Sequence, residues 1–339
     1  MPWRVLKHCK QNYPNHVGWA RVWREIWGST KPYPHARDEH AARAFQWMQS
    51  VNPSHGGWAS VWHKLWLDAD YVGRGRLIEY ADRWLKDVNA RHSRWPFIWR
   101  TLWDVANEPQ RRAELVIIAR SWLENAIVIS YATNWALVWQ ALWDLEPRDG
   151  GARTHLAALA RNWLERGDIA RGSWVGVWTR LWETHNQENR EGLLTQAYNW
   201  LEKSDPNRTS WPTVWRLLWD SSTSDLIQRN HLMVQAEQWL TRTKPHVKLW
   251  PDVWETVWDS SANDHNHRNG LRMQADRWLV DVHSNHSGWG RVWQVLWNDA
   301  LDDRVRRANL KEQAKSWLSA TSPDHPQRAL VSSILSAGN

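Results

Sequence analysis

Tryptophan recurs along this 339-residue chain in a fixed pattern. Three tryptophans spaced four residues apart are followed 18–20 residues later by a single tryptophan, and this unit occurs eight times at intervals of 37–40 residues. Eight copies at a nearly constant period indicate a tandem repeat protein whose units bury their apolar faces against one another. The first tryptophans of the triplets are Trp19, Trp58, Trp95, Trp135, Trp174, Trp211, Trp250 and Trp289. The single tryptophans are Trp47, Trp84, Trp122, Trp163, Trp200, Trp239, Trp278 and Trp317.

Both segments of each unit have the apolar period of an α-helix. Val or Ile precedes the middle tryptophan in all eight units, so tryptophan and aliphatic side chains cover one side of a first helix. Ala lies three residues before the single tryptophan, and Leu lies seven before it in seven units, with His40 as the exception; this spacing marks one stripe of a second helix. Pro96, Pro212 and Pro251 directly follow a first tryptophan and place the helix start beside it. We predict an all-α fold, an α-solenoid of eight tandem helical hairpins.

The two ends extend this pattern by partial units. After the last single tryptophan, Val331 and Leu335 keep the aliphatic positions while Arg328, Ser332 and Ser336 replace the three tryptophans, which is typical of a capping helix with a polar outer face. The chain opens within the register of a second helix, either as a truncated cap or as a cut from a longer protein. We therefore predict a single repeat domain over 1–339, with a partial repeat at 1–17, eight repeats at 18–320 and a C-terminal capping helix at 321–339.

Composition and charge restrict the function. With 42% apolar and 23% charged residues and a single cysteine, Cys9, the chain is expected to be a soluble cytoplasmic protein without membrane spans. The net charge of +7 divides into +8, −3 and +2 over the three thirds, so a polyanion tracked along the whole length is not favoured. Phosphate-loop, nucleophile-elbow and zinc-protease motifs are absent from the sequence. We predict no enzymatic activity, no cofactor and no metal.

Several polar features accompany the repeat. The short stretches Asp264–His267 and Gly73–Arg76 are expected to be a polar and a basic loop, respectively. An acidic residue follows the third tryptophan in five units, and we expect it to accept a hydrogen bond from an indole of an adjacent repeat: Asp104, Asp144, Glu183, Asp220 and Asp259. A basic residue lies three before the first-tryptophan position, which is Arg328 in the last case, in seven of nine linkers. We expect it to cap helix-end carbonyls or to stack as a cation on tryptophan: His16, His55, His92, Arg171, Arg208, His286 and His325.

Function is expected on the side of the first helix that faces away from its apolar arc, since the residues there differ from repeat to repeat. Their mixture of exposed apolar side chains and both charge signs favours a protein or peptide partner. The candidate partner-binding residues are Arg21, Arg24, Phe97, Arg100, Leu137, Gln140, Arg180, Arg216, Asp252, Glu255, Arg291 and Gln294. Two alternatives stay open, an RNA-binding solenoid and a purely structural or designed scaffold.

In its overall plan the array resembles the tetratricopeptide-like superfamily of helical-hairpin repeats, on the basis of the hairpin organisation and the alanine that precedes each Trp-Leu pair. That resemblance implies a recognition scaffold, with RNA-processing and nucleotide-reading branches. Arrays of such similar repeats also look like the sensor portions of signalling NTPases, which implies ligand recognition.

Overall fold

The computed structural model describes residues 16, 18–30, 34–126, 134–147, 150–166, 172–184, 190–262 and 264–337, and the structural statements below concern these residues. Nearly all of the predicted partial repeat at 1–17, including Cys9, lies outside them, as does Arg171.

The described residues form seventeen helices, and no described residue lies in a β-strand. The first helices of the eight repeats carry odd numbers: α1 Trp19–Ser29, α3 Trp58–Asp68, α5 Trp95–Val105, α7 Trp135–Trp143, α9 Ser173–Thr184, α11 Trp211–Ser221, α13 Trp250–Ser260 and α15 Trp289–Asp299. The second helices carry even numbers: α2 Pro34–Ser50, α4 Tyr71–Asp87, α6 Pro109–Ala126, α8 Gly151–Arg166, α10 Glu191–Lys203, α12 Leu226–Arg242, α14 His265–Asp281 and α16 Arg304–Ala320. The last helix, α17, spans Arg328–Ala337. The predicted all-α solenoid of tandem hairpins is confirmed.

The chain forms two compact units, residues 1–177 and 178–339, each built in the same way. In the first unit α1 contacts α3, α5 contacts α7, and α4 packs on both α3 and α5. In the second unit α13 contacts α11 and α15, and α14 packs on both α13 and α15. Because a first helix touches the first helices of neighbouring repeats as well as its own partner, two of its sides are covered and one is left open.

In at least six repeats the four tryptophans form one continuous stack in the core. In the seventh repeat the ring centroids of Trp278 and Trp250 lie 4.7 Å apart, those of Trp250 and Trp254 6.3 Å and those of Trp254 and Trp258 5.1 Å. The first, middle and single tryptophans of this repeat are at most 3% exposed, and Trp258 is 4% exposed. Each fully buried indole removes roughly 150–250 Å² from water, so the stack supplies a large share of the apolar burial in each repeat.

In the seventh repeat the first, middle and single tryptophans each have a backbone acceptor of their own. The first tryptophan, as in Trp250, donates to the carbonyl of the residue ten positions earlier, Leu240, at 3.3 Å. The middle tryptophan Trp254 donates to the carbonyl of Leu271 at 3.0 Å, and the single tryptophan Trp278 donates to that of Pro245 at 2.8 Å. These bonds fix the two helices of a hairpin and the linker before it in one register, because a buried N–H without an acceptor is costly.

An arginine covers the exposed end of every stack, which the sequence reasoning missed. It stands ten residues before the single tryptophan in all eight repeats, and its guanidinium lies 4.2–5.7 Å from the ring centroid of the third tryptophan. The eight residues are Arg37, Arg74, Arg112, Arg153, Arg190, Arg229, Arg268 and Arg307. A cation over an indole face is attracted by the ring quadrupole, so each arginine ties the start of a second helix to the end of its first helix.

Histidine closes the other end of the stack. The rings of His55, His92, His286 and His325 meet the preceding single tryptophan edge-on, with centroids 5.0–5.3 Å apart. Their Nδ1 atoms accept the backbone N–H two residues later, for example that of Gly288 at 3.1 Å from His286. A contact with tryptophan is therefore present at these four positions, but it is edge-on and not the stacking of a cation that was expected.

Helix α17 has the properties expected of a cap. Val331 is fully buried against the last repeat, while Ser332 and Ser336 are exposed. Arg328 takes over the hydrogen bond of a first tryptophan, since its guanidinium donates to the carbonyl of Leu318, ten residues earlier. The arginine thus preserves the bond to the second helix and replaces the outer apolar surface with charge.

Two of the five acidic residues after the third tryptophan, Asp104 and Asp220, have a cation as partner instead of the expected indole. Asp104 and Asp220 pair with the arginine one turn earlier, Arg100 at 2.9 Å and Arg216 at 3.3 Å. An indole N–H does reach a carboxylate in the first repeat, where Trp27 donates to Asp68 at 2.7 Å, but Asp68 lies two residues after its own third tryptophan. For Asp104 and Asp220 the side-chain partner is a cation on the same helix.

Candidate binding surface on the first helices

The twelve predicted partner-binding residues all lie on the open side of the first helices, and none is buried. Exposed are Arg21, Arg24, Arg100, Leu137 and Arg216. Half-buried are Phe97, Gln140, Arg180, Asp252, Glu255, Arg291 and Gln294. The helical geometry predicted this placement correctly; whether the residues bind a partner stays a prediction.

Three of these residues form an ion cluster between neighbouring repeats. The guanidinium of Arg291 donates to Asp252 at 2.6 Å and to Glu255 at 3.0 Å. Burial raises the pKa of Glu255, and the nearby carboxylates Asp252 and Asp259 add to this effect against the opposing charge of Arg291. Because both acids share one cation, these three side chains stabilise the contact between α13 and α15 in addition to any role toward a ligand.

The second unit has a groove on this surface, between α9, α11 and α13. Its volume is about 380 Å³. Apolar lining comes from Pro212, Trp215, Leu217, Leu249 and Val253, and polar lining from Thr179, Glu183, Thr213, Arg216 and Asp252. Arg216 and Asp252 are two of the predicted residues, so the structure brings them together in one concavity. Leu249 was missed by the sequence reasoning. It lies in the linker turn just before Trp250, where helical spacing does not predict the orientation of a side chain.

The first unit has a smaller and more basic groove, between α1, α3 and α5. It encloses about 280 Å³ and is lined by Arg24, Ala59, Ser60, His63, Lys64, Arg94 and Phe97. Arg24 and Phe97 belong to the predicted set, while Arg94 was missed because it also lies in a linker, directly before Trp95. The ring of Phe97 meets that of His63 edge-on, with centroids 4.7 Å apart.

Both stretches expected to be polar loops are parts of helices. Gly73–Arg76 lies in α4, where Arg74 covers Trp66 and Arg76 lies 4.3 Å from the ring centroid of Phe45. Asp264 is the N-cap of α14 and accepts the backbone N–H of His267 at 3.0 Å. Within the part of the chain that the structure describes, no three metal-ligating side chains come close enough together to hold an ion.

No family model, curated protein or solved structure matches this chain. The described helices include none that is both long and apolar enough to cross a lipid bilayer. What the fold and its surface define is a class: an all-α protein of tandem tryptophan-rich helical hairpins with grooves on its first helices.

Proposed function

We propose that this protein is a noncatalytic recognition scaffold that binds an extended segment of a protein partner on the open side of its first helices. The observation that carries this proposal is the groove between α9, α11 and α13. It coincides with the face on which the repeats differ, whereas the opposite face of the same helices is filled by the repeated tryptophan stack.

The lining of this groove suits a peptide. Leu217 and Leu249 offer apolar contacts to a side chain, while Arg216 and Glu183 offer one charge of each sign at its rim. The two threonine hydroxyls of the lining can pair with the backbone N–H and C=O groups of an extended chain. An apolar floor with a few polar groups is the usual composition of a specific binding site.

Two finer statements belong to the same proposal. The hairpin organisation supports kinship with the tetratricopeptide-like repeats, and in a signalling NTPase such an array would be the sensor that receives the ligand. The single cysteine of the sequence favours action in a reducing, cytoplasmic compartment.

The test is selection from a library of random peptides displayed on phage, followed by hydrogen exchange of the full chain with and without the best peptide. We expect slowed exchange in α9, α11 and α13. Protection confined to the second helices, or a failure to select any peptide above background, would contradict the proposal.

A further inference from the structure

The basic groove of the first unit carries two arginines that have no carboxylate partner among the described residues. Arg24 and Arg94 form no ion pair with any described residue, and Lys64 has only Asp68 at 3.9 Å. By comparison, Arg100 pairs with Asp104 at 2.9 Å. The four ionisable side chains of the lining are two arginines, one lysine and one histidine, all of which are neutral or positively charged. They come from three successive repeats.

The electrostatic environment of His63 reports the same surplus of positive charge. Burial lowers the pKa of His63, and the nearby charges of Arg94 and Lys64 lower it further. No acid contributes to this shift. Like charges held around a half-buried cavity repel one another, and a bound anion would relieve that repulsion.

We propose that the groove between α1, α3 and α5 binds a dianionic phosphate group, either free phosphate or a phosphate monoester. Two guanidinium groups and one ammonium group converge on the lining of a cavity of about 280 Å³, which suits one compact, doubly charged ligand. The Nε of Arg24 donates to the carbonyl of Ala20 at 3.3 Å, which leaves the two terminal nitrogens of this guanidinium for the ligand. The Ser60 hydroxyl supplies a further hydrogen-bond donor, and the Phe97 ring offers a flat apolar wall for the group that carries the phosphate. A phosphodiester carries only one charge per phosphate and fits this convergence less well.

The site does not depend on the proposed peptide groove, because it uses other residues in the other compact unit. The probe is inorganic phosphate, titrated into the full chain at pH 7.5 in about 0.15 M salt and followed by the ring signals of His63 in NMR spectra. We expect a saturable shift. In the double variant Arg24→Gln, Arg94→Gln the affinity should fall about tenfold or more, since each lost bond to a charged group has a large effect.

Arg100→Gln is the matched control, because Arg100 lies on α5 with its charge already paired, and its affinity should stay within about twofold of the parent chain. If the double variant does not fold, Lys64→Gln alone takes its place, with the same direction expected. Phosphoserine and a phosphoserine peptide identify the source of the group: tighter binding than inorganic phosphate indicates a monoester, and equal binding indicates free phosphate.

Three results would overturn the proposal. One is the lack of saturable phosphate binding, and another is unchanged affinity in the neutralised variants. The third is equal binding of dimethyl phosphate, which represents a nucleic-acid diester, because it would show that the groove does not select a dianion.

Discussion

Replacement of Arg190 by methionine tests the arginine that covers each tryptophan stack. Its guanidinium lies 4.6 Å from the ring centroid of Trp182, and its Nε donates to the carbonyl of Trp182 at 3.2 Å. Trp182 is only 4% exposed, so the cation acts on a largely desolvated ring, which is worth about 1–2 kcal/mol. The hydrogen bond adds about 1 kcal/mol. Methionine keeps the apolar stem, and we expect Arg190→Met to lower the free energy of unfolding by about 2–3 kcal/mol.

The assay is urea unfolding followed by far-ultraviolet circular dichroism, since 33 tryptophans make fluorescence difficult to assign to one repeat. Arg190→Lys keeps a positive charge but lacks the planar guanidinium, so its free energy of unfolding should lie between those of the parent chain and Arg190→Met. Arg216→Met removes an exposed arginine that pairs with Asp220 on its own helix and donates to the Thr256 hydroxyl at 3.2 Å, and it should change stability by less than about 1 kcal/mol. Equal effects of Arg190→Met and Arg216→Met would refute a specific role of the stack-covering arginine.

Three further changes test other parts of the structure. Trp254→Phe should lower the free energy of unfolding in urea by about 1.5–3 kcal/mol, because it removes the hydrogen bond from the buried indole N–H to the Leu271 carbonyl and leaves a cavity. A loss below about 0.5 kcal/mol would contradict the conclusion that the tryptophan stack forms the core. Burial lowers the pKa of His92 from its ordinary value of 6.5, so the unfolded chain binds a proton more readily and the free energy of unfolding should fall as pH decreases below about 6.5. His92→Val, which copies the buried Val247 of the seventh repeat, should weaken this pH dependence. An unchanged pH profile of the variant would show that His92 does not cause the dependence. Arg291→Met should destabilise the chain by about 0.5–1 kcal/mol at pH 8 and by less at pH 4.5, because burial raises the pKa of Glu255 and this acid therefore takes up a proton more readily at the lower pH; an equal loss at both pH values would argue against the ion cluster.

The sequence predicted the helices and the core well because tryptophan spacing records local periodicity. Helix α5, for instance, begins at Trp95 as the following proline indicated, and the middle tryptophan of that repeat is fully buried. The function of the repeated arginine could not be read in the same way, although its spacing is constant. Arg190 acts on a tryptophan of another helix, and only the hairpin geometry brings the two together.

The candidate sites were predicted in part for the same reason. Arg216 and Asp252 lie within helices, so the helical period predicts on which side of the helix each side chain lies. Leu249 and Arg94 lie in linker turns, whose backbone has no such period. The pairing of Arg291 with acids one repeat away depends on the distance between helices, which a single sequence does not contain.

The tryptophans build the scaffold, and we propose that the open side of the first helices recognises a partner. The most direct measurement is the dissociation constant of the best selected peptide for Leu217→Ser, Leu249→Ser and Ile227→Ser, where Ile227 is an 84% exposed residue of the second helix α12. Each groove substitution should weaken binding about tenfold or more, since burial of one leucine side chain contributes about 1.5–3 kcal/mol, and Ile227→Ser should leave it unchanged. Loss of binding in Ile227→Ser with full affinity in both groove variants would contradict the claim.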